Sequence, residues 1–504
     1  MNFVRNYKIE IVILLGLIVS YFTLRLPNLT VQPIFADEAI YIRWAQVIRS
    51  EPTLRFLPLS DGKTPLFMWV MIPFFKIISD PLAAGRFLSV ISGFFTLLGV
   101  FFLTQKVFSK QAAFWASLIY ITSPFTVFFD RMALVDSLQS AFTVWIIYIA
   151  ILLVRKMRLD LAMILGYLLG GAVLTKTPAI VSILILPISI LGFKKIETDK
   201  YRLIKLILLW IVAIIIALGM YNLLRLGPNF HLLSSRNADY VFSPLELAGR
   251  PLDPFIPHFH DISDWFPRFF TWPILILIAF GTVKMIGEGN REGWVVALWA
   301  LIPILLSMAF LKTFTARYLL TSVAPLLVFA GFGAQKLLQL IKIKQVSQKL
   351  KYLMLILVVM FLPLRFDYQL IKNSPPSDLP KEEKKGYFED WTAGYGLKEI
   401  AQYLIDQKNS GPVVVGTEGY FGTLPDGLYI YLDKSQISVV GSSATISGKL
   451  RDSVKDHQTF FVGNKIDLVK GAKDLKLIME FPKVRSSETG LQDATVLYEV
   501  LPER

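Results

Sequence analysis

The stretch RKMRLDLAMILGYLLGGAVLTKTPAIVSILILPISILGFKK, Arg155 to Lys195, decides how the chain is arranged. Two apolar runs, roughly 161–175 and 178–193, stand on either side of LTKTP, Leu174 to Pro178. Each is close to the length of about 20 residues that carries a helix across the hydrocarbon core. Arg155, Lys156 and Arg158 precede the pair, and Lys194 and Lys195 follow it. Short loops rich in Lys and Arg stay on the cytoplasmic side of a membrane. The pair therefore reads as a hairpin whose tip, carrying Lys176, faces the other side. A snorkelling loop lysine is the plain explanation, but its position runs against the charge bias.

The same alternation runs through the first three quarters of the chain. Of its 504 residues 54% are hydrophobic and only 18% charged, which excludes a wholly soluble protein. Eleven candidate spans follow: roughly 9–26, 83–105, 111–128, 137–154, 161–175, 178–193, 204–223, 269–287, 293–311, 318–335 and 352–364. With the N-terminus cytoplasmic, the inner segments carry Arg5 and Lys8, Lys106 and Lys110, the two basic flanks quoted above, and Lys336, Lys342, Lys344, Lys349 and Lys351. This pattern predicts a multi-pass protein of the cell membrane, with its N-terminus inside and its C-terminus outside. The first run follows Arg5 and Lys8 as a signal peptide would, yet no small-residue cleavage site follows it, so it reads as an uncleaved helix.

The formal net charge of +14 sits mainly in those short segments. It signals membrane orientation rather than nucleic-acid binding. The chain has no cysteine, which excludes disulfides and thiolate metal sites, and its four histidines argue against a His-built metal site. After the spans come a Pro- and Lys-rich linker, 366–388, and a tail, 389–504, that reads as a small extracytoplasmic α/β domain. In it a helix is expected over Tyr395–Lys408. Strands are expected over Val413–Thr417, Leu428–Leu432, Ile437–Val440, Thr459–Val462 and Thr495–Val500. NKID, Asn464 to Asp467, and GSSATISGKL, Gly441 to Leu450, imitate nucleotide-binding motifs, but the glycine spacing is too long and Lys449 lacks a following Ser or Thr. They are expected to be turns.

The outer segments collect the ionisable residues that need explaining. FADEAIYIRWAQ, Phe35 to Gln46, places Asp37 and Glu38 at the start of an interfacial helix, with Ile40, Trp44, Val47 and Ile48 opposite Arg43 and Arg49. Capping is the plain reading of an acidic first turn. DGKTPLFMW, Asp61 to Trp69, reads as a turn and a Pro-started helix, with Lys63 between them where an anion site can form. FFDRMALVD, Phe128 to Asp136, brings Asp130, Arg131 and Asp136 to the outer end of two helices. ARYL, Ala316 to Leu319, adds Arg317.

Ionisable residues at the edge of a membrane bundle usually face its interior or a wet cavity. Lys63, Arg131, Lys176 and Arg317 on one side, with Asp37 and Asp136, suggest an anion pocket with paired carboxylates. Such a set suits transfer of a sugar from a lipid phosphate. A phosphate leaving group needs cations more than a general acid. The acceptor hydroxyl needs a carboxylate to take its proton. The paired carboxylates could also hold a divalent ion, although no oxygen cage is legible.

Asp37–Glu38 after the first helix, GKTPLFMW, DRMALVD, LTKTP and ARYLL stand in the order found in glycosyltransferase family 39. Over roughly residues 1–335 the chain resembles that family of membrane-embedded C-type glycosyltransferases. It includes protein O-mannosyltransferases and the lipid A aminoarabinose transferases. The resemblance implies the C-type fold, mainly α and polytopic, and a polyprenyl-phosphate sugar donor. It also implies inverting transfer on the outer face to a lipid, glycan or protein hydroxyl. Asp37 matches the acidic catalytic position, with Glu38 beside it. Asp136 matches a second acidic position, Lys63 the basic residue of an EKPPL-like element, and Arg317 the Arg of an RYLLP-like element. Asp130, Arg131 and Lys176 complete the expected substrate-binding set.

Two departures stand out. Gly62-Lys63-Thr64-Pro65 replaces Glu-Lys-Pro-Pro, and the beta-trefoil insertion of the eukaryotic mannosyltransferases is absent. A transporter or flippase of a lipid-linked or anionic substrate is the alternative class, but it would place charges near mid-bilayer and show repeat symmetry between halves.

Overall fold

The computed structural model describes residues 8–193, 200–250, 252–341, 347–372, 375–442, 446–466 and 474–502. Arg5, Lys194, Lys195, Lys342, Lys344 and Asp467, which enter the readings above, lie outside the described residues. The chain divides into two compact units. One comprises 1–27, 55–67 and 88–378; the other comprises 28–54, 68–87 and 379–504.

The first unit is a bundle of apolar helices. Among the described residues six helices are long and apolar enough to cross a membrane: Pro81–Val107, Val135–Lys156, Tyr201–Leu226, Arg291–Phe310, Ala316–Leu340 and Gln348–Ile371. The number rises to eight if each of two bent pairs counts as one span. Every one of the eleven apolar segments is helical, but several are not single straight spans. Lys110–Thr122 and Pro124–Asp130 meet at 58°, because Ser123 is extended ahead of Pro124. Phe255–Phe270 and Trp272–Gly287 meet at 105°, where Thr271 takes φ 65° before Trp272-Pro273. The 178–193 segment is broken into short turns around Pro187.

Helices in a bilayer gain by close approach at small residues. Gly281 and Gly333 show it: a Cβ on either would run into the backbone of the facing helix. Gly166 and Gly170 likewise admit Ile216 and Met220 against Leu159–Thr175.

The second unit holds a five-stranded mixed sheet in the order 438–442, 413–418, 458–464, 494–500, 475–482. The first three strands are parallel and the last two pairings antiparallel. The helix Leu397–Lys408 and four of the five expected strands form here. Leu428–Leu432 does not: it closes the helix Thr423–Leu432, which packs on Ala36–Ser50. A short apolar run buried on several sides carries no period that separates strand from helix. Leu475–Pro482 is a further strand, and Gly441 and Asn464 lie in strands rather than turns, while Gly448–Ser453 is helical.

Segments far apart in sequence are joined in this unit. Ile34–Phe35 pairs antiparallel with Ala393–Gly394. Ala36–Ser50 is buried at ten of its fifteen positions, so it is not an amphipathic helix with one covered stripe. Arg43 and Arg49, expected on its solvated face, both bind Asp433 at 2.8 and 3.2 Å.

Candidate active site

In the second unit Asp37 and Glu38 occupy the first turn of Ala36–Ser50, where the helix dipole favours negative charge. The two part company there. Glu38 is fully buried and accepts from the Phe35 N–H at 3.0 Å, as the acid of a capping arrangement does. Both its oxygens are held by Arg86, also fully buried: Nε to Oε1 and Nη2 to Oε2, each 2.8 Å. Arg86 spends its other N–H groups on the carbonyls of Leu29, Gln32 and Pro33, at 3.0, 3.1 and 2.9 Å. All five guanidinium donors are thereby used. Expected as a catalytic group, Glu38 instead anchors the loop 29–35. Asp37 is partly buried one residue away, in the same first turn.

In the first unit Asp130 and Arg131, expected among the substrate contacts, are both buried. Asp130 accepts from Arg25 Nε at 3.0 Å, Tyr120 Oη at 3.2 Å and Ser137 Oγ at 3.2 Å. Arg25 also donates to the Ile121 carbonyl at 2.9 Å, and Arg131 to the carbonyls of Arg25 and Pro27 at 2.7 and 3.0 Å. The Asp-Arg dipeptide thus staples the end of the helix Lys8–Arg25 to the bundle. Sequence reading overlooked Arg25, although a charge closing an apolar helix opposite the basic side was a visible signal.

Three of the remaining motifs meet. Lys176, which ends the helix Leu159–Thr175, places Nζ 2.6 Å from Asp136 Oδ1 in the first turn of Val135–Lys156. The same ammonium lies 4.0 Å over the Tyr318 ring, and the Arg317 guanidinium lies 5.4 Å from it. Cations over a tyrosine face are attracted by its quadrupole. Asp136 is buried and Lys176 partly exposed, so the carboxylate fixes the lysine while the ammonium keeps an open side. Asp136, expected as a second catalytic acid, is thus paired with Lys176 in this structure.

Lys63 lies in a second basic cluster of this unit. The turn at Gly62, φ 67°, sets Asp61 between Lys63 at 3.3 Å and Arg236 at 2.7 Å. A Cβ at Gly62 would come within 2.6 Å of the Arg236 Cβ, so only glycine lets the loop approach so closely. Nothing in the loop 224–268 pointed to Arg236. Leu59 and Leu66 pack with Leu174, Leu224 and Leu233, which ties the Lys63 loop to the helix that ends at Lys176. Among the described residues no three His, Cys, Asp or Glu side chains come together in a metal-binding group.

Comparison with known proteins bears on the fold. Residues 62–221 match the sequence model of the dolichyl-phosphate-mannose-protein mannosyltransferase family. That segment takes in Lys63, DRMALVD and LTKTP. No curated protein matches the chain in sequence. Among solved structures the chain is similar to ArnT from Cupriavidus metallidurans bound to undecaprenyl phosphate. The TM-score is 0.63 at 13% identity, over 98% of both chains. It is also similar to the oligosaccharyltransferase AglB from Archaeoglobus fulgidus in complex with an inhibitory peptide and a dolichol-phosphate. There the TM-score is 0.53 at 11% identity, over 97% of this chain and 74% of the other. The fold is that of the C-type membrane glycosyltransferases, and the chain is a multi-pass membrane protein. Within the class, the resemblance to glycosyltransferase family 39 is borne out.

Proposed function

We propose that the protein transfers a hexosyl or pentosyl unit from a polyprenyl-phosphate donor to an acceptor hydroxyl on the outer face of the membrane. The observation that carries this reading is the convergence of Asp136, Lys176, Arg317 and Tyr318 from three distant motifs. Support also comes from two similar structures, in which ArnT holds undecaprenyl phosphate and AglB holds a dolichol-phosphate.

The chemistry is a single displacement. The acceptor oxygen bonds to the anomeric carbon as the bond from that carbon to the phosphate oxygen breaks, and the bonding pair leaves on the phosphate. Lys176, Arg317 and Lys63 hold the phosphate and stabilise its growing charge, fixed dipoles and charges being most effective where charge develops. Asp37 takes the proton from the acceptor hydroxyl. Attack from the face opposite the leaving group inverts the anomeric centre, by analogy with inverting glycosidases.

The test is kinetic. Purified protein is given radiolabelled undecaprenyl- and dolichyl-phosphate sugars, with Lys176→Met and Arg317→Met alongside the wild type. A charged hydrogen bond contributes about 1.5–3 kcal/mol. Each variant should therefore raise the donor KM by about tenfold or more. An unchanged donor KM in both variants removes these residues from the donor site.

A further inference from the structure

In the first unit a cavity of about 320 Å³ opens where the helix Ala316–Leu340 ends and the helix Gln348–Ile371 begins. Leu338, Gln339, Ile341, Gln348, Lys351 and Tyr352 line it. Clefts that take small ligands start at about 300 Å³. Its walls are fixed by a third helix. Gln111 Nε2 donates to the Tyr352 hydroxyl, and the Tyr352 ring stacks on Trp115 at 6.0 Å between centroids. Ser109, which caps Lys110–Thr122, donates to Gln335 Oε1 at 2.7 Å. Lys351 Nζ donates to the Ile341 carbonyl at 2.7 Å. An ammonium has three donors, and that bond uses one of them.

The lining is polar and cationic, and no acid stands near it in sequence: none occurs between Glu292 and Asp367. Lys336 is spent on Glu288 at 2.5 Å, so Lys351 carries the charge of the cavity itself. A lysine that only orients the chain needs no more than a place in the loop, as exposed Lys349 has. Lys351 instead is half-buried and anchored at the cavity wall. The same helix shows a lipid-like surface beside it. Leu350, Leu353, Met354, Leu357, Val358 and Phe361 are all exposed and share one face. At 3.6 residues per turn, Lys351 falls between that stripe and the cavity residues Gln348 and Tyr352.

We infer that this cavity binds the phosphodiester headgroup of an anionic phospholipid, whose acyl chains lie along the exposed stripe. Two features choose the occupant. A fixed cation with no acid in the lining selects an anion, and the adjoining apolar stripe selects a lipid over a soluble ion. Gln339 and Gln348 supply amides for the hydroxyls of the headgroup. Basic pockets between spans on the cytoplasmic side hold anionic headgroups in this way. That is the side to which the sequence assigns this end, with Lys106, Lys110 and Lys336. The cavity lies about 30 Å along its helix from Arg317. It is therefore a different site from the donor phosphate site, and it does not depend on the transferase reading.

The experiment uses the full chain, stripped of lipid in detergent, and native mass spectrometry of added phosphatidylglycerol, phosphatidylcholine or inorganic phosphate. Wild type is compared with Lys351→Gln, Gln339→Glu and Lys349→Gln. Lys351→Gln removes the charge and keeps a donor for the Ile341 carbonyl. Gln339→Glu sets a carboxylate at the cavity and leaves Lys351 in place, so it carries the test if Lys351→Gln fails to fold. Loss of one lysine charge weakens anionic lipid binding by about fivefold. Wild type should bind phosphatidylglycerol at least that much more tightly than phosphatidylcholine. Lys351→Gln and Gln339→Glu should each lose that preference, and Lys349→Gln, which alters the charge outside the cavity, should bind as wild type does. No preference for phosphatidylglycerol overturns the inference. So does equal loss in Lys349→Gln and Lys351→Gln, which is diffuse surface charge, or inorganic phosphate binding as tightly as the lipid.

Discussion

Replacing Arg86 by Ala tests whether the position of Asp37 depends on a buried charge pair. Arg86 makes five hydrogen bonds, two to Glu38 and three to carbonyls of the loop 29–33, with both side chains fully buried. Removing one partner of such a pair leaves the other as an uncompensated buried charge, at a cost of about 3–5 kcal/mol. Three loop carbonyls lose their donor as well. The helix Pro81–Val107 starts five residues before Arg86 and does not need the side chain, so the loss falls on the loop and the first turn of Ala36–Ser50.

Local opening should then become easier by about two to four orders of magnitude, at roughly 1.36 kcal/mol per factor of ten. Hydrogen exchange of the amides from 29 to 40 reads this directly. Arg86→Lys should recover only part of the protection, since an ammonium cannot reproduce the five-donor fork. Glu38→Gln should resemble Arg86→Ala. Protection that changes by less than tenfold in Arg86→Ala would refute the reasoning.

Two other perturbations separate structure from chemistry. Arg25→Met strands Asp130 in the first unit and should cost about 3–5 kcal/mol, with Arg25→Met/Asp130→Leu recovering part of it. Thermal unfolding should show the loss, while the donor KM of the surviving fold stays as it was. In the second unit, burial lifts the Asp426 carboxyl above the ordinary carboxylate range, against the Gly422 N–H and Arg43, which lower it. Its folded pKa therefore exceeds its unfolded one, and its charge destabilises the fold above that folded value. Asp426→Asn keeps an oxygen for Gly422 N–H and should raise the melting temperature at neutral pH. The gain should fade as pH falls through the folded pKa toward the unfolded value of about 3.9. A difference that grows on acidification contradicts the assignment.

Much of the bundle was legible because an apolar run of spanning length has few other uses. All eleven apolar segments are helical. Their bends were not legible: hydropathy is blind to Thr271 at positive φ, and it does not say whether Pro124 or Pro187 breaks a helix or opens one. The edge strand Leu475–Pro482 was overlooked, being half exposed and only partly alternating.

The candidate site shows the same limit. Lys176 and Asp136 stood out because charge in an apolar context is costly, and they meet in the fold. Glu38 and Asp130 stood out for the same reason, yet each is committed to an arginine that the sequence reading passed over, 48 and 105 positions away. The letters of a carboxylate do not say which cation folding will bring to it. Arg236 had no local signal, since only the turn at Gly62 explains why it is there.

The central claim is that Asp37 removes the acceptor proton in a sugar transfer from a polyprenyl phosphate. It is tested most directly by comparing wild type and Asp37→Asn in single-turnover transfer from a radiolabelled polyprenyl-phosphate sugar, with donor binding measured in parallel. A general base contributes about 10²–10⁴-fold, so transfer by Asp37→Asn should fall by at least about a hundredfold while donor binding is kept. Transfer at the wild-type rate by Asp37→Asn would contradict the account.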